Sequence, residues 1–209
     1  MAEPSVITAA PRKDLRAIAA EWLPAIAILV LLTAARSSFA NHYVVPTGSM
    51  EDTLEPGDRV VVDMSAYGLR VPFTDTVIAG RGAPARGEIV VFDSPVDGIR
   101  LIKRVVAIAG DEVSLRDGHL SINGVALNAD AGGDIERFGA REALVNLDRG
   151  GGPDIDHLVI PEGKVLVLGD HRGNSVDGRM YGLVSTGAFY GKAVAVYWRS
   201  GEGPVWKRL

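Results

Sequence analysis

Arg100-Leu101-Ile102-Lys103-Arg104-Val105-Val106-Ala107-Ile108-Ala109 reads as a long β-strand with apolar residues on both faces. Leu101, Lys103, Val105 and Ala107 share one face; Ile102, Arg104, Val106 and Ile108 share the other. Within residues 101–108 each face carries a single cation, so at least one cation rests against buried surface. Desolvation lowers a lysine pKa by several units, whereas arginine keeps its proton and has to snorkel or pair. A lysine driven toward neutrality is a candidate general base; the plainer reading is a lysine whose stem covers the strand while its ammonium reaches water.

Outward from this strand the same texture repeats. Residues 59–63, 88–92, 164–168, 183–184 and 192–198 read as strands, and residues 112–127 as two more with Asp117-Gly118 and Asn123-Gly124 as turns. Residues 65–87, broken by Pro72, Pro84 and glycines, read as irregular, and residues 128–157, with Ala131-Gly132-Gly133 and Gly150-Gly151-Gly152-Pro153, as a surface excursion. The expected fold is mainly β, with antiparallel sheets folded into a partly closed, barrel-like domain over residues 37–209.

Upstream, residues 17–35 are apolar apart from Glu21 and Pro24, just long enough for one transmembrane helix, assigned to residues 17–36. Arg12, Lys13 and Arg16 precede it and Arg36 follows, which places residues 1–16 in the cytoplasm and the β domain on the outer side. A cleavable leader ending near Ser38-Phe39-Ala40 is the alternative; Arg36 and the strand-like residues 39–45 favour a retained anchor.

The composition closes several routes. There is no cysteine, and the net charge of −4 across 209 residues gives no nucleic-acid footprint. No His-Glu zinc signature, calcium loop or P-loop is present, so no metal and no cofactor is expected.

Two further segments carry chemistry. In Val44-Val45-Pro46-Thr47-Gly48-Ser49-Met50 a strand breaks at Pro-Thr-Gly and presents Ser49, a candidate nucleophile that needs a base from elsewhere. In Leu168-Gly169-Asp170-His171-Arg172-Gly173-Asn174-Ser175-Val176-Asp177-Gly178-Arg179 a polar loop follows an apolar strand; its acids and arginines suit an ion-pair lattice, and Ser175 suits the orienting of a neutral amine.

Pro46 through Met50 with Thr53-Leu54, Gly57-Asp58, Lys103 through Val106 with Gly110-Asp111, and Gly169-Asp170 through Arg179 with Gly182 together resemble the type I signal peptidases, in that family's order and after an N-terminal span. The resemblance implies a membrane-anchored endopeptidase that removes signal peptides from secretory preproteins after small residues, at the outer face of the cell membrane and in reach of the translocation machinery. It implies Ser49 as nucleophile, Lys103 as general base, and Thr47 with the Ser49 N–H as oxyanion hole. It further implies Ser175 positioning the lysine, Asp177 and Arg179 bracing the loop, and Val45, Met50, Leu54 and Ile102 near the substrate pockets. Asp52 stands where that family usually has proline, His171 where asparagine is frequent, and Gly173 and Gly178 where polar residues are common.

Rival readings make distinct demands. A Ser-His-Asp triad using His171 and Asp170 would need adjacent residues to orient one another, and it predicts that His171 substitution abolishes activity, where the dyad reading leaves most of it. A self-cleaving Ser/Lys protease of the repressor type needs a cytoplasmic site and a DNA-binding segment. A maturation peptidase dedicated to one secretion or conjugation system shares the chemistry but not the substrate range. A non-catalytic anchored β domain would ignore loss of Ser49.

Overall fold

The computed structural model describes residues 15–70, 77–80, 82–128 and 133–209. Helix α1 (Leu15–Ser38) leads into β1 (Ala40–Val44), β2 (Arg59–Asp63), β3 (Gly68–Arg70), β4 (Val77–Gly80), β5 (Ile89–Asp93) and β6 (Arg100–Ala107). There follow β7 (Glu112–Arg116), β8 (His119–Ile122), β9 (Val125–Ala126), β10 (Ile135–Phe138), β11 (Arg141–Leu144), β12 (Ile155–Val159) and β13 (Lys164–Leu168). A one-turn helix α2 (Gly178–Tyr181), then β14 (Val184–Ser185), β15 (Phe189–Arg199) and β16 (Gly203–Arg208) complete the chain.

The main sheet runs β1-β2-β15-β5-β6-β13-β14, with β16 also on β15, and every recorded pairing in it is antiparallel. The expected barrel-like closure is not formed: β1 and β14 end an open path. The reason lies in β15. Its first half pairs with β5 and its second half with β16, while β2 runs along the other edge, and register shifts at several points bend it. A smaller sheet, β12-β7-β8-β9, packs over the far side.

Alternation explains why β5 sits centrally. Val90 and Phe92 point into one buried cluster with Val105, Val167 and Phe189; Ile89 and Val91 point into another with Met50, Leu54, Val60 and Val62. A third cluster joins Val106, Leu166 and Leu168 to Val113, Leu115 and Leu120 of the smaller sheet. Asp117 and Gly118, and Asn123 and Gly124, all have positive φ, as the two-residue hairpin turns read from the sequence require.

Three expectations need correction. Residues 65–87 are not wholly irregular, because β3 and β4 pair as a short hairpin, too brief for a period-two signal. Residues 128–157 contain the β10–β11 hairpin and most of β12. Strand β16 went unread because it carries Pro204, which an edge strand tolerates. Among the described residues no helix is long and apolar enough to cross a membrane; the side chains of α1 are described over residues 20–33 only. Most of the expected cytoplasmic tail, residues 1–16, lies outside the described residues.

Candidate active site

Strand β1 ends at Val44, and two backbone bonds, Val45 N–H to Asp58 O (2.9 Å) and Gly57 N–H to Val45 O (2.8 Å), extend its pairing one step further. The chain then turns through Pro46, Thr47 and Gly48. Met50 and Leu54, both fully buried, plug the turn into the core below, and Ser49 is left at the rim with 7% of its surface exposed. Val45, before the turn, is buried in the same cluster, so apolar residues anchor the chain on either side of the serine.

Lys103 arrives on β6, paired through its backbone with Val90 of β5. Its side chain is only 3% exposed, and Nζ lies 2.5 Å from Ser49 Oγ. Burial lowers the amine pKa to about 8; Asp177 and Asp170 pull it back up, and Arg179 pushes it down. Desolvation dominates. Thr47 Oγ1 donates to Ser49 Oγ at 3.5 Å, so both hydroxyls face one space.

The neighbouring Arg104 is equally buried and pairs. Its guanidinium donates to both oxygens of Asp170 (2.8 and 2.7 Å) and to Gly87 O (2.8 Å). Adjacent cations on opposite faces are therefore handled in opposite ways: one is neutralised by an ion pair, the other is kept dry.

The loop after β13 is a lattice. Asp177 caps α2 by accepting from Arg179 N–H (3.2 Å), and it also accepts from Gly169 N–H (2.9 Å) and from Arg179 Nε and Nη2 (2.8 Å each). Burial opposes ionisation of Asp177, but these bonds, the Arg179 charge and help from Ser175 hold its pKa below the usual carboxylate range. Arg179 also donates to Gly151 O (2.6 Å) and Arg172 O (2.7 Å). Gly169 lets the two sides close up, since a Cβ there would overlap Ser175 Oγ and Ser49 O.

The site residues expected from the sequence are distributed unevenly. Ser49, Lys103 and Thr47 converge, and Asp177 and Arg179 brace the loop behind them. Ser175 Oγ is buried against Gly169 but makes no hydrogen bond to Lys103. Val45 and Ile102 line an apolar cavity of about 150 Å³ with Tyr43, Pro46, Val60 and Val91; Ser49 and Lys103 are not among its lining residues, although Pro46 and Ile102 are close to them in the chain. Met50 and Leu54 do not line it, because the turn sends them into the core. His171 does not touch Ser49 Oγ; its ring meets Glu51 and Asp148 instead.

The sequence reading missed Glu136. It is 2% exposed and forms a bidentate pair with the buried Arg172, at 3.0 and 2.6 Å. Arg172 donates as well to Gly118 O and Gly169 O. Nothing in the local pattern of β10 marks its glutamate as buried, because the arginine that receives it lies 36 residues on.

The family model for signal peptidase, peptidase S26, matches residues 19–198. The chain belongs to the signal peptidase family. Signal peptidase I of Pseudomonas aeruginosa is 32% identical over 208 residues, spanning 87% of this chain and 72% of that protein. Signal peptidase I of Pseudomonas fluorescens is 32% identical over 203 residues, spanning 85% and 71%. A solved signal peptidase I from Enterococcus faecalis V583 matches 53% of this chain and 97% of its own at 28% identity, with a TM-score of 0.38. As a signal peptidase, the chain is a hydrolase, a serine endopeptidase acting on preproteins that bear signal peptides.

Proposed function

We propose that the protein is a membrane-anchored signal peptidase in which Ser49 is the nucleophile and Lys103 the general base. The observation that carries this reading is the buried Lys103 amine, its pKa lowered to about 8, at 2.5 Å from Ser49 Oγ.

In the neutral state Nζ has a lone pair that accepts the serine proton as Oγ attacks the scissile carbonyl. The Ser49 N–H and Thr47 hydroxyl hold the developing oxyanion. The lysine, now protonated, gives its proton to the leaving amine. Water activated by the same amine then frees the acyl-enzyme. The apolar cavity walled by Val45, Pro46 and Ile102 suits small apolar side chains near the cut, so specificity for Ala-x-Ala sequences rests on excluding larger ones. Ser175 contributes by filling space behind Gly169, and Asp177 and Arg179 by fixing the loop.

Anchoring rests on α1. Trp22, Leu23, Ile26, Ile28, Leu29, Val30, Leu31 and Leu32 are all exposed, an apolar surface with no polar face. With Arg12, Lys13 and Arg16 before it, the N-terminus belongs in the cytoplasm and the β domain on the outer face, where preproteins leave the translocation machinery.

The test is cleavage of a detergent- or lipid-embedded preprotein carrying Ala-x-Ala before the cut. Wild type releases the signal peptide. Ser49→Ala and Lys103→Ala each lose activity by about 10⁴-fold or more, the scale seen when a member of a catalytic unit is removed. Cleavage by either variant within about a hundredfold of wild type overturns the assignment.

A further inference from the structure

His171 is one of the most deeply buried residues of the chain, at 1% exposure, yet both ring nitrogens face carboxylates from two different loops. Nδ1 lies 2.9 Å from Glu51 Oε2, in hydrogen-bonding geometry. Nε2 lies 2.6 Å from Asp148 Oδ1, without hydrogen-bond alignment. The proposed dyad mechanism uses none of these three groups.

What Glu51 touches gives the arrangement its meaning. Its carboxylate lies against Gly48, so closely that a Cβ on that glycine would overlap it. Gly48 separates Thr47 from Ser49, the two residues read as oxyanion donors. The Glu51 N–H also donates to Gly48 O at 3.2 Å, closing the turn. From the other side, the His171 backbone N–H donates to Ser49 O at 3.3 Å. One residue thus grips the serine turn twice, once through its main chain and once through the Glu51 side chain.

His171 is itself held. Asn146 bridges it in parallel register, with Asn146 N–H donating to Asp170 O (2.9 Å) and Arg172 N–H donating to Asn146 O (3.0 Å). Asp148 belongs to that same loop but is 63% exposed, so solvent screens it, whereas Glu51 is 27% exposed. The Glu51 contact is therefore the stronger of the two.

We propose that His171 is a positioning residue, acting through Glu51 to fix the turn that presents Ser49 and its neighbouring oxyanion donors, without touching the reacting atoms. The proposal rests on Ser49 being the nucleophile. It assigns a use to a buried histidine that the dyad leaves idle, and couples it to an acid two residues after the serine.

The test is steady-state cleavage of an Ala-x-Ala preprotein by the full chain carrying Glu51→Gln, His171→Ala, His171→Asn, the Glu51→Gln/His171→Ala pair and, in parallel, Ser49→Ala. Glu51→Gln and His171→Ala each lower kcat about tenfold, the size of one lost charge-assisted contact, with KM held within about twofold. The double variant falls no further than the worse single, because one link is broken twice. His171→Asn keeps a donor toward Glu51 and returns to within about threefold of wild type. An unchanged kcat in Glu51→Gln, a proportionate rise in KM, or losses that multiply in the pair overturns the proposal. Should His171→Ala not fold by circular dichroism, Glu51→Gln against His171→Asn decides. Full activity in Ser49→Ala would instead overturn the nucleophile assignment, a separate result.

Discussion

A lysine at position 103 has to be dry to be useful, and it is a liability for that reason. Because Lys103 titrates near 8, its neutral fraction below that pH falls about tenfold for each unit. The protonated form cannot accept from Ser49, so kcat/KM for preprotein cleavage should climb about tenfold per pH unit up to pH ~8 and flatten above it. A profile already flat from pH 6 to 9 would mean that another group is the base. Thr47, whose hydroxyl stands 3.5 Å from Ser49 Oγ, carries the second prediction. Thr47→Val keeps the shape and removes a donor, and should lower kcat by roughly 10²–10³ while leaving the thermal transition in place. A rate near wild type would take the threonine out of the oxyanion hole. Lys103 was readable from sequence only through the motifs around it, since the strand alone is equally well read as a snorkelling stem, and Ser49 because a Pro-Thr-Gly break is conspicuous. The link between Glu51 and His171 was not, since Glu51 is ordinary until a distant loop supplies its partner and His171 invited only a triad reading.

At the scale of elements, the loop from Gly169 to α2 is built on close approach. Gly178 has no room for a side chain: a Cβ would sit 2.7 Å from Leu166 Cδ1 and 2.8 Å from Val167 O. Gly178→Ser should therefore destabilise the fold by about 1–3 kcal/mol through overpacking, measured as a lower midpoint in urea. An unchanged midpoint would show that β13 yields without cost. Central strands were legible because β5, β6 and β13 bury both faces and are dense in β-branched residues. The β3–β4 and β10–β11 hairpins and β16 were not. Their residues are short runs, in part exposed, and what holds them is pairing with a neighbour, which leaves no period in the sequence.

Across the whole molecule, the segment read as a surface excursion folds back to brace the loop from Gly169 to Arg179. Glu136 reaches the buried Arg172, Gly151 O receives Arg179, and Asn146 bridges His171. Glu136→Gln leaves the Arg172 charge short of its counter-ion in a site where neither side chain sees solvent. Stability should drop by about 3–5 kcal/mol, read by denaturant unfolding. A loss under 1 kcal/mol would mean the excursion is only a passenger.

Strand β15 has an effect on timing. The hairpin-like pair β1–β2 carries the serine turn and β5–β6 carries the lysine, but no ladder joins β2 to β5 until β15 slots between them. Synthesis therefore has to run past residue 189 before the splice exists. A nascent chain halted short of residue 189 already holds Ser49 and Lys103, yet it lacks the strand that splices their two hairpins into one sheet.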